Sequence, residues 1–312
     1  MLGRLYSIYS NRRELQKSLD LAREMLRLAE AGQDRMSLLW AHYCLGHTLY
    51  MRGELQAARA HTERSIVLYD FNQSREYGWV LDPGATGLAR LAHVLFLLGY
   101  SDQARARSVK ALVHARKLSH PFTLGWVLDS VAVMHARCGE FEKAETIWTE
   151  QVGLCAKQNF PWLLSAGIIG LAMIMAEQGR GQETISRIQE GREAFPGAEA
   201  KGEQTSYLIR LACAYKSLQW WKEGLAVVAE ALKLVTETST YEAATLHHLK
   251  GEMLLMQDTA NEAEPRRCFH AAIELARTVG AKSIELQATT SLARVLARQG
   301  RPDQARSMLK KI

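Results

Sequence analysis

Gly99, Gly139, Gly179 and Gln219 stand 40 residues apart, and five residues after each comes a small or short side chain: Ala104, Ala144, Thr184 and Gly224. The same pair of positions recurs outside this strict run as Gly53 with Ala58, Gly300 with Ala305 and, more weakly, Arg13 with Ser18. One further period after Gln219 falls near 259, within "MQDTANEAEP". The largest irregularity is the step of 46 from Gly53 to Gly99. A chain that repeats a turn at this interval folds as stacked supersecondary units, each burying its apolar face against its neighbours.

The stretches between turns have helical periodicity. Val127, Leu128, Val131 and Met134 recur at helical spacing, Cys138-Gly139 interrupts them, and Phe141, Ala144, Ile147, Trp148 and Val152 resume. Each unit therefore reads as two antiparallel helices, with the small residue five after the turn marking where the second crosses the first. With only 6 prolines and 22 glycines in 312 residues, little breaks these helices. Pro83, Pro121 and Pro161 fall just before first helices, Pro265 and Pro302 at the start of second helices, and Pro196 in a link. The uncharged run from Gln158 to Ala176 includes Asn159 and Pro161. It leaves a helix too short to span a bilayer and reads as buried.

The residue pattern inside the first helices selects among helical repeats. Seven residues before the turn stand Gly46, Ala92, Ala132, Ala172, Ala212, Gly251 and Ala293, allowing a longer turn in the 251 unit. Three later stand Leu49, Leu95, His135, Met175, Tyr215, Leu254 and Leu296. This small-x-x-large, glycine, small order is the signature of tetratricopeptide repeats, lengthened from about 34 to about 40 residues. The expected fold is all-α: a right-handed superhelical solenoid of about eight antiparallel helix pairs. A single repeat domain over 1–312 is expected, with units near 1–30, 36–70, 84–118, 121–157, 161–195, 203–236, 241–278 and 281–312.

Several phrases go beyond the generic repeat: "LDPGATGLARLAHVLFLLGYSDQARARS", "ARKLSHPFTLGWVL", "NFPWLLSAG", "AATLHHLKGEMLL" and "AKSIELQATTSLARVLARQGRPDQAR". From about residue 10 to the end, the chain resembles the C-terminal tetratricopeptide-repeat region of bacterial multidomain signalling proteins. In these, an adenylate/guanylate cyclase or another effector is followed by a P-loop ATPase and then by the repeats. The resemblance implies a sensory or regulatory arm. A ligand-sensing arm of an ATPase-type transcription activator is the alternative, weakened because no helix-turn-helix accompanies the repeats.

Catalysis in the chain itself is not expected. "VGAKSIE" has a Lys-Ser but lacks the glycines of a phosphate-binding loop, and Lys282-Ser283 reads as a helix start. There is no strand-borne aspartate pair for a cyclase's metals and no G-x-S-x-G elbow. His247-His248 point about 100° apart on a helix, and His42 and His47 have the wrong offset for one metal. Five cysteines, odd in number and never in CxxC, read as reduced thiols of a cytoplasmic protein. No cofactor or metal is expected, no signal peptide is visible in "MLGRLYSIYSNRRELQ", and no membrane partner is expected.

The expected working surface is the concave groove lined by the first helices. Residues one or four after the small position should project into it, together with those one or two turns earlier. These are Trp40, Tyr43, His47, Tyr50, His93, Phe96, Trp126, Asp129, Arg137, Lys216 and His248, with Val133 beside them. Aromatic side chains supply contact area at low entropic cost, and Arg or Lys pairs a carboxylate. A protein or peptide is the expected partner, either an upstream cyclase/ATPase domain or a second copy of the chain. The net charge of +6 is dispersed, and the basic residues Arg294, Arg298, Arg301, Arg306, Lys310 and Lys311 read as helix-end complements, so nucleic acid is not expected. Both termini read as cut edges, of a longer parent or of a self-associating fragment. His120-Pro121 reads as a link that releases one helix and starts the next.

Overall fold

The computed structural model describes residues 2–71, 80–195, 204–235, 240–258 and 262–312. Among them are sixteen helices and no strand: α1 (Leu2–Asn11), α2 (Leu15–Gly32), α3 (Arg35–Met51), α4 (Leu55–Leu68), α5 (Pro83–Leu97), α6 (Ser101–Lys117), α7 (Pro121–Arg137), α8 (Phe141–Gln158), α9 (Pro161–Glu177), α10 (Gly181–Ala194), α11 (Gln204–Ser217), α12 (Trp221–Leu234), α13 (Thr240–Gln257), α14 (Ala263–Thr278), α15 (Lys282–Arg298) and α16 (Pro302–Leu309). Odd and even helices alternate as the first and second members of antiparallel pairs, so the fold is an all-α solenoid.

The repeated turn has one geometry. Arg13, Gly53, Gly99, Gly139, Gly179, Gln219 and Gly300 all have left-handed φ, between 57° and 92°. The following N–H then reaches back to the carbonyl five residues earlier: Tyr100 to Leu95 at 2.8 Å, Arg180 to Met175 at 2.9 Å, Trp220 to Tyr215 at 2.9 Å. This Schellman closure explains why the positions recur, because glycine enters the left-handed region at no steric cost. The turn expected near 259 lies outside the described residues.

Small residues sit where helices cross. Ala58, Ala104, Ala144 and Thr184 are fully buried, and a Cβ on Gly224 would meet Met253 Sδ at 2.9 Å. In α13, a Cβ on Gly251 would meet the Phe269 ring at 2.6 Å. Larger side chains at either register would force the pair apart.

First helices are punctuated by side-chain caps. The Ser37 N–H donates to Asp34 Oδ2 (2.8 Å), that of Ala85 to Asp82 Oδ1 (2.8 Å), and that of Thr123 to His120 Nδ1 (3.1 Å). His120 is thus the N-cap of α7. Pro83, Pro121 and Pro161 are themselves the first residues of α5, α7 and α9, where the missing N–H costs nothing. The long apolar run becomes α9, whose Leu163, Ile168, Ile169, Ala172 and Ile174 are buried. No described helix is long and apolar enough to cross a membrane.

The array departs from the expectation that each unit touches only its neighbours. Val94, Leu97 and Leu98 around the end of α5 share one apolar cluster with Tyr241 and Ala244 of α13, Ala276 of α14, and Ala281 and Ile284 at the start of α15. The Tyr50 and Tyr241 rings lie 5.2 Å apart. Arg13, in the turn between α1 and α2, donates to both carboxylate oxygens of Glu242 at 2.9 Å and to Thr205 Oγ1 at 2.7 Å. The coil therefore closes, with its first three pairs resting on helices α11, α13, α14 and α15. Curvature accumulated over a whole turn makes this contact, and nearest-neighbour reasoning does not contain it.

Candidate functional site

Closure converts the expected open groove into a cavity of about 440 Å³. Its wall is built from the first helices α3, α5, α7, α9, α11, α13 and α15, with Phe141 and Trp148 contributed by α8. The register rule places the lining: one residue after the small position come His47, His93, Val133, Met173, Cys213 and Glu252, all on the wall, except in the last unit, where Arg294 is exposed and off it. Four after it come Tyr50, Phe96, Ala136 and Lys216. Trp126, Asp129, Arg137 and His248 line the cavity as well.

Two of the expected groove residues are elsewhere. Trp40 stacks on Tyr43 with ring centroids 5.1 Å apart, and α1 lies over this face, with Gly3 against the Trp40 indole. Tyr43 is buried; its hydroxyl is 3.0 Å from Thr86 Oγ1, and its ring lies under the Arg90 guanidinium at 4.7 Å. In the second pair this face of the first helix meets its neighbours, not the interior.

The wall carries ion pairs between helices far apart in sequence. Asp129 of α7 receives Arg210 of α11 through two bonds of 2.7 Å, Arg210 also donates to the Ala166 carbonyl of α9 (2.9 Å), and Trp148 Nε1 donates to Asp129 Oδ1 (3.0 Å). One guanidinium thereby fastens three consecutive first helices. Lys216 of α11 donates to Glu252 of α13 at 2.8 Å, and Ser291 Oγ of α15 donates to the other carboxylate oxygen at 3.2 Å. Burial alone would raise the Glu252 carboxyl, but His248 and Lys216 beside it bring it below the usual range.

Burial disfavours the charged form of the interior histidines His47 and His93. His93 Nε2 lies 2.8 Å from Ser130 Oγ, and Arg137 Nη1 lies 3.4 Å from its Nδ1. Burial, followed by the charge of Arg137, pushes its pKa down to about 3. His47 is likewise held well below the ordinary value by burial, with Arg90 and Arg13 adding to the effect. Its Nδ1 faces the Tyr6 hydroxyl at 3.2 Å. Burial raises the thiol pKa of all five cysteines, Cys155 to about 12, so the thiolate form is disfavoured at each. No cluster of three or more metal-ligating side chains occurs among the described residues.

Sequence reasoning missed Arg90, Arg210, Met173, Cys213 and Glu252. Met173, Cys213 and Glu252 share the register of His47 and His93, so the same rule reaches them. Arg90 and Arg210 both stand two residues before the small position, a register that is buried between neighbouring first helices. A second omission lies outside the cavity, where His42 Nδ1 of α3 is 2.9 Å from His61 Nδ1 of α4.

A tetratricopeptide-repeat family model matches residues 39–64, 85–108 and 286–311, within the pairs α3–α4, α5–α6 and α15–α16. No curated protein matches the chain. Among solved structures the chain is similar to a Rap protein complexed with competence and sporulation factor, with 14% identity and a TM-score of 0.70 over 88% of this chain and 73% of that one. It is also similar to the apo form of the quorum sensor NprR from B. thuringiensis (13% identity, TM-score 0.56, 98% and 85% coverage). A third similar structure is aspartyl phosphate phosphatase F from Bacillus subtilis (8% identity, TM-score 0.55, 98% and 90% coverage). At these identities the likeness is one of fold: a tetratricopeptide-like helical solenoid.

Proposed function

We propose that this chain is a non-catalytic regulatory scaffold that receives a short peptide segment in its interior cavity. The observation that carries the reading is the enclosed wall itself, where Tyr50, Phe96, Trp126, Trp162 and Tyr241 alternate with charged side chains from α5, α7, α11 and α13. A mainly apolar lining with a few placed polar groups is the usual make-up of a ligand site, and about 440 Å³ falls within the common range for one. That volume suits an extended segment and excludes a folded domain from the interior, so a partner protein would present a tail or loop. The solved Rap structure of the same fold, which holds a separate factor, supports the same reading.

The finer reading, a cytoplasmic sensory arm of a cyclase/ATPase signalling protein working as one repeat domain over 1–312, rests on the sequence phrases around Asp82-Pro83-Gly84, His120-Pro121-Phe122 and His248–Glu252. Under it, the peptide-bound and peptide-free cavity would present different surfaces to the effector.

The test is retention of a random hexapeptide pool on the immobilised chain, read by mass spectrometry. Trp126→Ala, which removes an aromatic wall without touching the Asp129–Arg210 pair, is expected to reduce retention at least tenfold while leaving the helical spectrum intact. Equal retention by both proteins contradicts peptide binding in the cavity.

A further inference from the structure

The interior carboxylates and cations can be matched one by one. Asp129 is taken by Arg210, Glu242 by Arg13, and Glu252 by Lys216, each at 2.7–2.9 Å. Glu177, at the exposed rim, accepts from Ser217 Oγ at 2.5 Å. Arg90 is left over. It is 5% exposed, lines the cavity, and has no carboxylate partner among the described residues. Its Nη1 is buried without a hydrogen-bond acceptor, and its Nη2 lies 3.5 Å from the Tyr43 hydroxyl, at the limit of a bond.

A buried guanidinium with unused donors is costly, and aromatic faces only partly offset it. Arg90 has two such faces, Tyr43 at 4.7 Å and Trp126 at 5.9 Å. Faces covered in this way leave the edge of the fork, which matches a planar carboxylate. Arg137, over the Phe96 ring at 5.8 Å and also without an ion pair among the described residues, stands at the exposed mouth of the same wall. Between them lies His93, whose charged form both arginines disfavour. Neither arginine is neutralised by a carboxylate among the described residues.

The geometry points to Arg90 as the receptor for a carboxylate of the bound peptide, with Arg137 drawing the anion in at the mouth. This rests on the peptide reading above and adds the chemistry that selects the ligand. A monoanion balances one buried cation; the carboxylate is either the peptide's C-terminus or an acidic side chain.

Four hexapeptide pools separate these sources: with or without Asp and Glu, each with a free or an amidated C-terminus. Retention is expected only for pools that carry a carboxylate, and the pool lacking both kinds should be retained at least about thirtyfold less, about 2 kcal/mol. Arg90→Met should abolish this preference, and Arg137→Gln should weaken it less. Without peptide, Arg90→Met should melt within about 4 °C of the wild type or higher, because an uncompensated buried charge has been removed. Equal retention of the carboxylate-free pool, or an unchanged preference in Arg90→Met, overturns the assignment while leaving the peptide reading standing. A melting midpoint lowered by more than about 4 °C makes Arg90 a packing residue and also overturns it. Retention of no pool at all removes the peptide reading, and this inference with it.

Discussion

Gln219 occupies a turn position that five other pairs fill with glycine, with φ of 60°. A side chain in the left-handed region costs roughly 1–2 kcal/mol, partly returned by the lower entropy of its unfolded chain. Gln219→Gly is therefore expected to stabilise the protein by about 0.5–1 kcal/mol, read as a rise of roughly 2 °C in the melting midpoint. A lowered midpoint would show that the Gln219 side chain makes a contact the turn depends on. Titration of His93 provides a second measurement at this scale. The unfolded imidazole takes a proton near pH 6.5, whereas the folded one does so only near 3. Between those values the unfolded state binds more protons, so stability present above about pH 6.5 is lost as the pH falls toward 3. His42, held at about 4 by burial and His61, adds in the same direction. Thermal unfolding from about pH 7 to 5 should show a falling midpoint, with a shallower fall in His93→Gln. Parallel slopes would contradict a neutral buried His93.

Helices and their pairing were legible because they depend on local sterics. The positions Gly53, Gly99, Gly139 and Gly179 mark a backbone conformation, and Ala58, Ala104 and Ala144 mark a close crossing; both leave a residue-type imprint at fixed spacing. His93, Trp126 and Lys216 were legible as wall residues for the same reason, since register on a helix fixes direction. Trp40 and Tyr43 obeyed the same register, but Tyr43 is buried against Thr86 and Arg90 of α5 and Trp40 is covered by α1, whose placement depends on the buried Tyr6 and its bonds to the Cys44 carbonyl and Thr48 Oγ1, 38 and 42 residues away. Arg13–Glu242 and Asp129–Arg210, separated by 229 and 81 residues, leave no periodic trace. The latch between the α1–α2 turn and α13 tests closure directly. Arg13→Met leaves the Glu242 carboxylate buried without its guanidinium, an expected loss of about 3–5 kcal/mol. The double variant Arg13→Met/Glu242→Met should recover most of it. Losses that simply add in a double-mutant cycle would contradict a direct, buried latch.

At the scale of the whole molecule, helix pairs stack, curvature brings α5 against α15, and the first helices enclose a cavity. The central claim is that this interior receives the ligand. Ser206 of α11 lies on its wall at the register where α7 carries Trp126, so the repeat already accommodates an indole at that position. Ser206→Trp should therefore fold while filling the cavity, and Thr149→Trp on the exposed face of α8 serves as the matched control. The decisive measurement is equilibrium binding of a hexapeptide selected on the wild-type chain. Binding lost in Ser206→Trp and kept in Thr149→Trp is the predicted result; undiminished binding by a folded Ser206→Trp would contradict the account.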